Sequence, residues 1–385
     1  MFVLFSHHVE GRRSLRVVHI SSVHSASDPR IRRKQLATIR RRGHEAWFVT
    51  GDLSAVANDG VVIVRVPPGN KRRILRILVT SPLVILRAFA IRADIYHFHD
   101  PELLPWALLL KLKGVPVIYD VHEDNVASVA RKRYLPSSLR RTLATLVGTV
   151  EKLLSGWFLC VIAERYYSGR FPNAVKVLNY PDSSLDGLVP AFSSSSNRML
   201  YTGNVTVDRG ALTMARVIAD AKDLELTIIG SCSPTLADEI LRVAGKRSDA
   251  IEIVGVGRFV PFDEIVAAYR RGGWIAGLAL FPESEHYREK ELTKFFEYMA
   301  AGIPIVASDF PAWRNLIDTS GLGVCVDSSC PNAVIGVIDW LRSHHAEAAA
   351  MSARGPELVR RSFSWESQGS NLLALYDAAV GSKCS

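Results

Sequence analysis

At 385 residues, with 48% hydrophobic and 22% charged side chains, the chain has the composition of an ordinary globular protein and a length that suits two domains. Its five cysteines (Cys160, Cys232, Cys325, Cys330 and Cys384) are scattered, odd in number and never spaced CxxC, which argues against a disulfide framework or a zinc site and fits a reducing cytoplasm. The net charge of +9 is uneven, with 28 Lys and Arg against 13 Asp and Glu in residues 1–180 but 19 against 25 in residues 181–385. That asymmetry suggests an anionic partner for the first half.

Met1 to Phe5 is apolar, but the polar run Ser6–Ser14 follows at once, too short a pattern for a signal peptide. Leu15–Ser21 reads as a buried strand, followed by the loop Ser22–Asp28 and a helix from Pro29 to Arg42. Ala46–Thr50 and Val61–Val66 are further strands. A strand ending in Ile95-Tyr-His-Phe-His-Asp100 precedes a helix over Pro101–Leu112 and another strand over Val115–Val121. The apolar stretches Ile74–Ile91 and Thr142–Ala163 are interrupted by Pro82 and Arg87, and by Glu151 and Lys152, so neither reads as a membrane span.

The rhythm restarts beyond a boundary near 180–198, marked by Pro181 and the serine run 193–196. Met199–Tyr201 is a strand leading to Gly203, then come a helix over Ala211–Ala221 and strands over Leu224–Ile229 and Ile251–Val254. A helix over Phe262–Arg271, a strand over Ile275–Leu280, a helix holding Glu297 and a strand over Ile303–Val306 complete the series, and Phe363–Tyr376 is a terminal helix. Strands alternating with helices imply parallel sheets, so the expected fold is α/β with two tandem units.

The stretch Glu291–Ser308 carries the clearest chemistry. Lys294 and Glu297 lie three residues apart on one helical face, Phe295, Phe296 and Met299 form its apolar side, and Gly302 and Pro304 stop the helix. Counting back from Glu297 gives Glu289, an E-x7-E spacing. Free first-turn amides and Lys294 suit phosphates, and Glu297 suits ribose hydroxyls. Other chemistries lose ground: the loop after the first strand, Ser21–Asp28, has no glycine for a dinucleotide fingerprint, and there is no P-loop or G-x-S-x-G elbow. A compact His97-x-His99-Asp100 is weak evidence for a metal, and no basic-aromatic interleaving marks a nucleic-acid binder.

Asp28-Pro-Arg-Ile31, His97-Phe-His-Asp-Pro-Glu102, Tyr119-Asp-Val-His-Glu123, Gly203-Asn-Val-Thr-Val-Asp-Arg-Gly210 and Thr293–Pro304 occur in this order. Together they resemble the GT-B glycosyltransferases of family 4, the "group 1" transferases of polysaccharide biosynthesis, from about residue 15 to 380. The resemblance implies two Rossmann-like domains facing across a cleft: an acceptor domain at 15–180, a nucleotide-sugar domain at 198–362, and a helix at 363–381 returning to the first domain. It implies a retaining hexosyl transfer with no cofactor and no metal.

Residue by residue, it implies that Glu297 accepts from the ribose and that Glu289 sits near the donor sugar. The backbone of Leu292 and Thr293 would hold the diphosphate, and Arg209 after the Gly203 turn would add positive charge to it. Lys294 would contact the phosphates or bridge to Glu297. Asn204 stands where the family often has a second basic residue. His122, at a strand's carboxyl end, matches the active-site histidine, and Asp120, two residues before it on the same strand face, suits an orienting partner. Asp28, Arg30, His99 and Asp100 are acceptor-side candidates, although Asp28 also suits a helix cap.

The expected partners are a UDP- or GDP-sugar and a glycan or polyprenyl-diphosphate-linked acceptor, with no nucleic acid. An anionic membrane surface is suggested by basic-aliphatic stretches from Lys71 and from Arg131, which equally suit solvated surface helices. The expected location is cytoplasmic, peripheral on the membrane face. A nucleotide-sugar 2-epimerase of the same fold and a non-catalytic scaffold are the alternatives.

Overall fold

The computed structural model describes residues 13–54, 58–67, 75–122, 126, 136–188 and 190–382. The chain divides into two units: residues up to Leu178 together with those from Gln368 onward, and the continuous segment Asn179–Ser367. The division thus falls just before the expected 180–198 linker and inside the terminal helix, which runs Trp365–Gly381.

The first unit is built on a seven-stranded sheet in the order β3-β2-β1-β4-β5-β6-β7. Its strands are β1 (Arg16–Ser21), β2 (Glu45–Thr50), β3 (Val62–Arg65), β4 (Ile95–Phe98), β5 (Val117–Val121), β6 (Leu159–Ile162) and β7 (Val175–Lys176). All pair in parallel. β4 and β5 are buried along their whole length, as strands covered by helices on both faces must be.

The helix after β1 opens as a π-helix over Pro29–Leu36 and continues as an α-helix over Ala37–Arg41. The helix expected over Pro101–Leu112 is instead a chain of short turns, Pro101–Leu103, Leu104–Ala107 and Leu108–Lys113. Pro101 and Pro105 carry no backbone N–H, and a regular helix cannot run through the second of them unbroken.

The second unit has a six-stranded sheet in the order β10-β9-β8-β11-β12-β13. These strands are β8 (Arg198–Thr202), β9 (Glu225–Cys232), β10 (Ile251–Val256), β11 (Ala276–Ala279), β12 (Ile305–Ser308) and β13 (Gly323–Val326), again all parallel. Both sheets run outward one way from their first strand and then the other way. The strand order therefore reverses between β1 and β4, and between β8 and β11, where the carboxyl ends of a doubly wound sheet open a crevice. The residues singled out by sequence gather at these two reversals. Among the described residues no helix is long and apolar enough to cross a membrane.

Candidate active site

In the second unit, β8 ends at Thr202 and the backbone turns at Gly203 with φ +102°. A short 3-10 turn over Val207–Arg209 follows, then Gly210 with φ +82° opens the next helix. A side chain at Gly210 would place its Cβ 1.9 Å from the Leu280 carbonyl oxygen, so only glycine lets this loop lie against the end of β11. Across from the loop, the phenolic hydroxyl of Tyr287 donates to Asp208 Oδ2 at 3.0 Å and pins the turn that carries Arg209.

The E-x7-E helix spans Thr293–Ala300, with Leu292 as its N-cap residue. No side chain caps that end, so its first-turn amides lack the partner most helices supply. Leu292 is itself buried, which restricts it to a backbone role. Tyr298 anchors the helix: its hydroxyl accepts from the Thr202 amide at 3.1 Å, and its ring rests where Gly277 has no side chain.

Lys294 is 8% exposed, and its Nζ has no hydrogen-bond partner. The ammonium sits 3.4 Å from the centroid of the Tyr201 ring and 5.3 Å from that of Phe281, a cation–π arrangement. Burial first, and then the charge of Arg209, hold its pKa well below that of an ordinary lysine, with Glu297 acting the other way. The Lys294–Glu297 bridge is absent. Glu297 Oε2 instead accepts from Tyr269 at 2.9 Å, and the Tyr269 hydroxyl lies 3.0 Å from Thr202 Oγ1.

Thr293 is half-buried beside Lys294. Glu289 closes the one-turn helix Glu285–Arg288, its backbone N–H donating to the Tyr287 carbonyl, and its exposed side chain makes no hydrogen bond among the described residues. A separate cleft of about 590 Å³ at the ends of β12 and β13 is lined by Arg216, Arg288, Asp309 and Ser328 rather than by the donor candidates.

In the first unit the polar candidates turn inward. Asp100 is 1% exposed and accepts from Ser21 Oγ (2.8 Å), Ser22 N (2.5 Å) and Val23 N (3.2 Å). It holds the β1 loop and is not an open acceptor contact. Asp28 caps its helix, accepting from Ile31 N at 3.0 Å. Burial works against its charge, yet the hydrogen bond and charge of His24 keep its pKa well below the usual carboxylate range. Arg30 is equally committed: its Nη2 donates to Asp120 Oδ1 at 2.9 Å in an ion pair that is almost entirely buried.

Asp120 is the hub. Its Oδ2 accepts from Gln35 Nε2 at 2.5 Å and lies 2.9 Å from His122 Nε2. Burial raises its pKa, but Arg30 and then His122 outweigh that and leave it well below the ordinary carboxylate value. His99 Nδ1 lies 3.0 Å from His122 Nε2, and His99 Nε2 lies 2.8 Å from His19 Nδ1. The Tyr376 hydroxyl, on the terminal helix, reaches His97 Nδ1 (2.7 Å) and His19 Nε2 (3.1 Å). Burial drives the pKa values of His19, His97 and His99 down, so these imidazoles are neutral.

Sequence reasoning grouped Asp100 with the two β4 histidines, whereas Asp120 is the carboxylate beside them. One ligand atom from each of His97, His99 and Asp120 lies within 4.8 Å of the others. Arg30 already occupies that carboxylate, and its guanidinium would repel a second cation there. His19, Gln35 and Tyr376 were not singled out from sequence, and neither were Tyr201, Tyr269 and Tyr287 in the second unit. The basic-aliphatic stretches from Lys71 and Arg131 lie outside the described residues at 71–74 and 131–135.

Comparison with known proteins agrees in fold and family. Residues 34–163 match the profile described as Glycosyltransferase Family 4, and residues 212–374 match one described as Glycosyl transferase-like. A GDP-mannose-dependent alpha-mannosyltransferase of Mycolicibacterium smegmatis is 24% identical over 378 residues, 89% of this chain and 91% of the relative. A phosphatidyl-myo-inositol mannosyltransferase of the same organism is 22% identical over 75% of this chain and 72% of its own length. Among solved structures, a sucrose-phosphate synthase from Thermosynechococcus elongatus superposes with a TM-score of 0.74 at 15% identity, covering 95% of this chain and 99% of the other. WaaG, a glycosyltransferase involved in lipopolysaccharide biosynthesis, does so with a TM-score of 0.69 at 12% identity, covering 95% of this chain and all of the other. With two Rossmann-like sheets of the same strand order, and with profile matches in both units, the chain belongs to the family 4 type of GT-B glycosyltransferases and is a hexosyltransferase.

Proposed function

We propose that the chain moves a hexose from a UDP- or GDP-sugar to a glycan or lipid-linked acceptor, with retention and without a metal. The observation that carries this reading is the Lys294 ammonium, buried without a hydrogen-bond partner at the uncapped start of the Thr293–Ala300 helix and near enough to Arg209 to feel its charge. A lysine buried without a hydrogen-bond partner beside Arg209 favours an anionic ligand, and a sugar-nucleotide diphosphate supplies one. Glu297, fixed by Tyr269, then accepts from the ribose hydroxyls.

When the glycosidic bond to the diphosphate breaks, negative charge grows on the leaving phosphate. Arg209, Lys294 and the amides of Leu292 and Thr293 stabilise it where it forms. His122 acts at the transferring sugar, and a phosphate oxygen takes the acceptor proton. Glu289, exposed and without a partner, meets the sugar. A GDP-sugar has the support of the relative whose name specifies GDP-mannose.

The acceptor is proposed to lie at an anionic membrane surface on the cytoplasmic side. The Ser137–Ser155 helix exposes Leu139, Leu146, Val150 and Leu153, and Trp157 beyond it is 64% exposed, with Arg140 and Arg141 nearby. An apolar stripe edged with arginine suits such a surface.

A panel of nucleotide-sugars scored for nucleotide release and product linkage tests the reaction. Release dependent on an added glycan or lipid acceptor is expected; nucleotide release with no glycosylated product would favour the 2-epimerase reading. Calorimetry that detects neither UDP nor GDP binding would favour the scaffold.

A further inference from the structure

The His122 imidazole ends a chain of buried groups whose proton positions can be worked out from distances alone. Tyr376 has one hydroxyl proton and two nitrogen neighbours, so it donates to one and accepts from the other. The shorter contact, 2.7 Å to His97 Nδ1, has the length of O–H donation, and 3.1 Å to His19 Nε2 has that of N–H donation. His97 therefore carries its proton on Nε2, a buried atom with no hydrogen-bond partner that faces Asp120 Oδ2 at 3.6 Å. His19 carries its proton on Nε2, which leaves Nδ1 to accept from His99 Nε2 at 2.8 Å. His99 Nδ1 then accepts from His122 Nε2 at 3.0 Å, and the same His122 N–H lies 2.9 Å from Asp120 Oδ2.

Donors and acceptors run in one direction from His122 to His97; His97 Nε2 faces the Asp120 carboxylate at 3.6 Å, beyond hydrogen-bond length, and His99 Nδ1 turns its lone pair toward the same carboxylate at 3.5 Å. The opposite direction is the less favourable one, because the shortest of these contacts to the carboxylate, 2.9 Å from His122 Nε2, needs a proton. It would turn the lone pairs of both His97 Nε2 and His122 Nε2 toward the Asp120 carboxylate. Arg30 Nε sits between the two groups, 3.2 Å from His122 Nε2 and 3.3 Å from Asp120 Oδ2, and with His122 Nε2 protonated its N–H goes to the carboxylate. Gln35 donates to the same oxygen, and the His24 ring lies tilted against His122 with centroids 4.9 Å apart.

We propose that Tyr376, His97, His19 and His99 form a one-directional hydrogen-bonded chain that, with Asp120, holds His122 as the Nε2–H tautomer, with Nδ1 as its lone-pair nitrogen. Tyr376, carried in by the last helix, is a positioning residue for the transfer reaction. The inference rests on the reading that His122 acts at the transferring sugar. The consequence for chemistry is specific: the fixed His122 accepts a hydrogen bond from a sugar hydroxyl at Nδ1 and does not donate one there.

The test uses the full chain labelled with ¹⁵N-histidine, comparing wild type with Tyr376→Phe and His19→Gln. Long-range ¹H–¹⁵N spectra are expected to show His19, His97, His99 and His122 all as neutral Nε2–H tautomers. Removing the Tyr376 hydroxyl should shift the His122 nitrogens, although Tyr376 does not touch His122. In the nucleotide-release assay, Tyr376→Phe should lower kcat about tenfold with the donor KM unchanged, the low end of the loss seen when groups that orient metal-ligating histidines are removed.

His19 or His99 protonated on Nδ1, His122 resonances unmoved in both variants, or wild-type kcat in Tyr376→Phe would each overturn the proposal. So would near-stoichiometric transition metal in protein purified without chelator, because a metal would take the same lone pairs. If no donor is turned over at all, the reading of function fails while the spectra still decide the hydrogen-bonded chain. If Tyr376→Phe does not fold, His19→Gln breaks the chain one link closer to His122 and carries both readouts.

Discussion

A lysine kept from water without a hydrogen-bonding anion is poised to change its protonation when one arrives. Lys294 is held well below the ordinary lysine pKa, first by burial and then by Arg209. A diphosphate brings negative charge that opposes both influences and raises that pKa. Binding of UDP or GDP is therefore expected to take up a proton in the pH range where Lys294 titrates, visible in calorimetry as an enthalpy that varies with buffer ionisation heat. Affinity should weaken as pH rises. Lys294→Met, which keeps the buried stem, should raise the nucleotide Kd about 10- to 100-fold, the worth of a hydrogen bond to a charged group. Equal affinity in wild type and variant would remove Lys294 from the site.

The first unit makes a different pH statement. His19, His97 and His99 are neutral when folded because burial lowers their pKa values, whereas in the unfolded chain they titrate near about 6.5. Below that pH the unfolded state binds more protons, so stability present at neutral pH is lost as pH falls. Each histidine contributes a slope of up to about 1.4 kcal/mol per pH unit. Asp120 and Asp28, with lowered pKa values, lose their contributions only at more acidic pH. The melting temperature should thus fall steadily between pH 7 and pH 5, and less steeply in His19→Gln.

Helices and strands explain why some side chains are where they are. The Thr293–Ala300 helix is seated by the Tyr298 ring lying over Gly277 of β11, where an added Cβ would come within 2.7 Å of the ring. Gly277→Ala should cost about 1–3 kcal/mol, read from the denaturant midpoint, and should weaken nucleotide binding because the whole helix must shift. This helix was legible in the sequence because everything it needs is local: an i,i+3 polar pair, an apolar side, and Gly302 with Pro304 to stop it. The first unit's network was not, because it depends on strand register. His19 and His97 become neighbours only when β1 pairs with β4 with those two residues opposite one another. Nothing in Val-Val-His-Ile or Ile-Tyr-His-Phe announces that pairing. The same limit misplaced Asp100. Its neighbours in sequence suggested an open acceptor contact, but the loop after β1 folds back and Ser21, Ser22 and Val23 donate to its Oδ2.

At the scale of the whole molecule, composition and element rhythm revealed two α/β units, and the ordered motifs indicated their family. Residue spacing could not show that the last stretch of chain is structurally part of the first unit. Leu372 and Tyr376 are fully buried, and Gln368 accepts from the Leu178 amide at 2.9 Å. A chain cut after Ser367 should therefore keep a cooperative second unit able to bind nucleoside diphosphate, while the first unit becomes sensitive to limited proteolysis. Equal protease resistance of both units after that cut would contradict the division described above. The exposed apolar stripe of the Ser137–Ser155 helix leads to another test. The full chain should float with vesicles containing anionic lipid at low salt and detach as salt rises, while failure to float at low salt would argue against a membrane surface.

The return of residues 368–382 to the first unit also bears on how the protein is made. Synthesis runs from the N-terminus, and domains fold as units when their residues are available. The segment Asn179–Ser367 is continuous and can complete itself as it leaves the ribosome. The first unit cannot, because His19 must wait for Tyr376, 357 positions later. The part of the protein translated first is then the part finished last. Its histidine-lined interior stays open through most of translation, and a ribosome that stalls near the end releases a chain whose second half is sound and whose first half is unsealed.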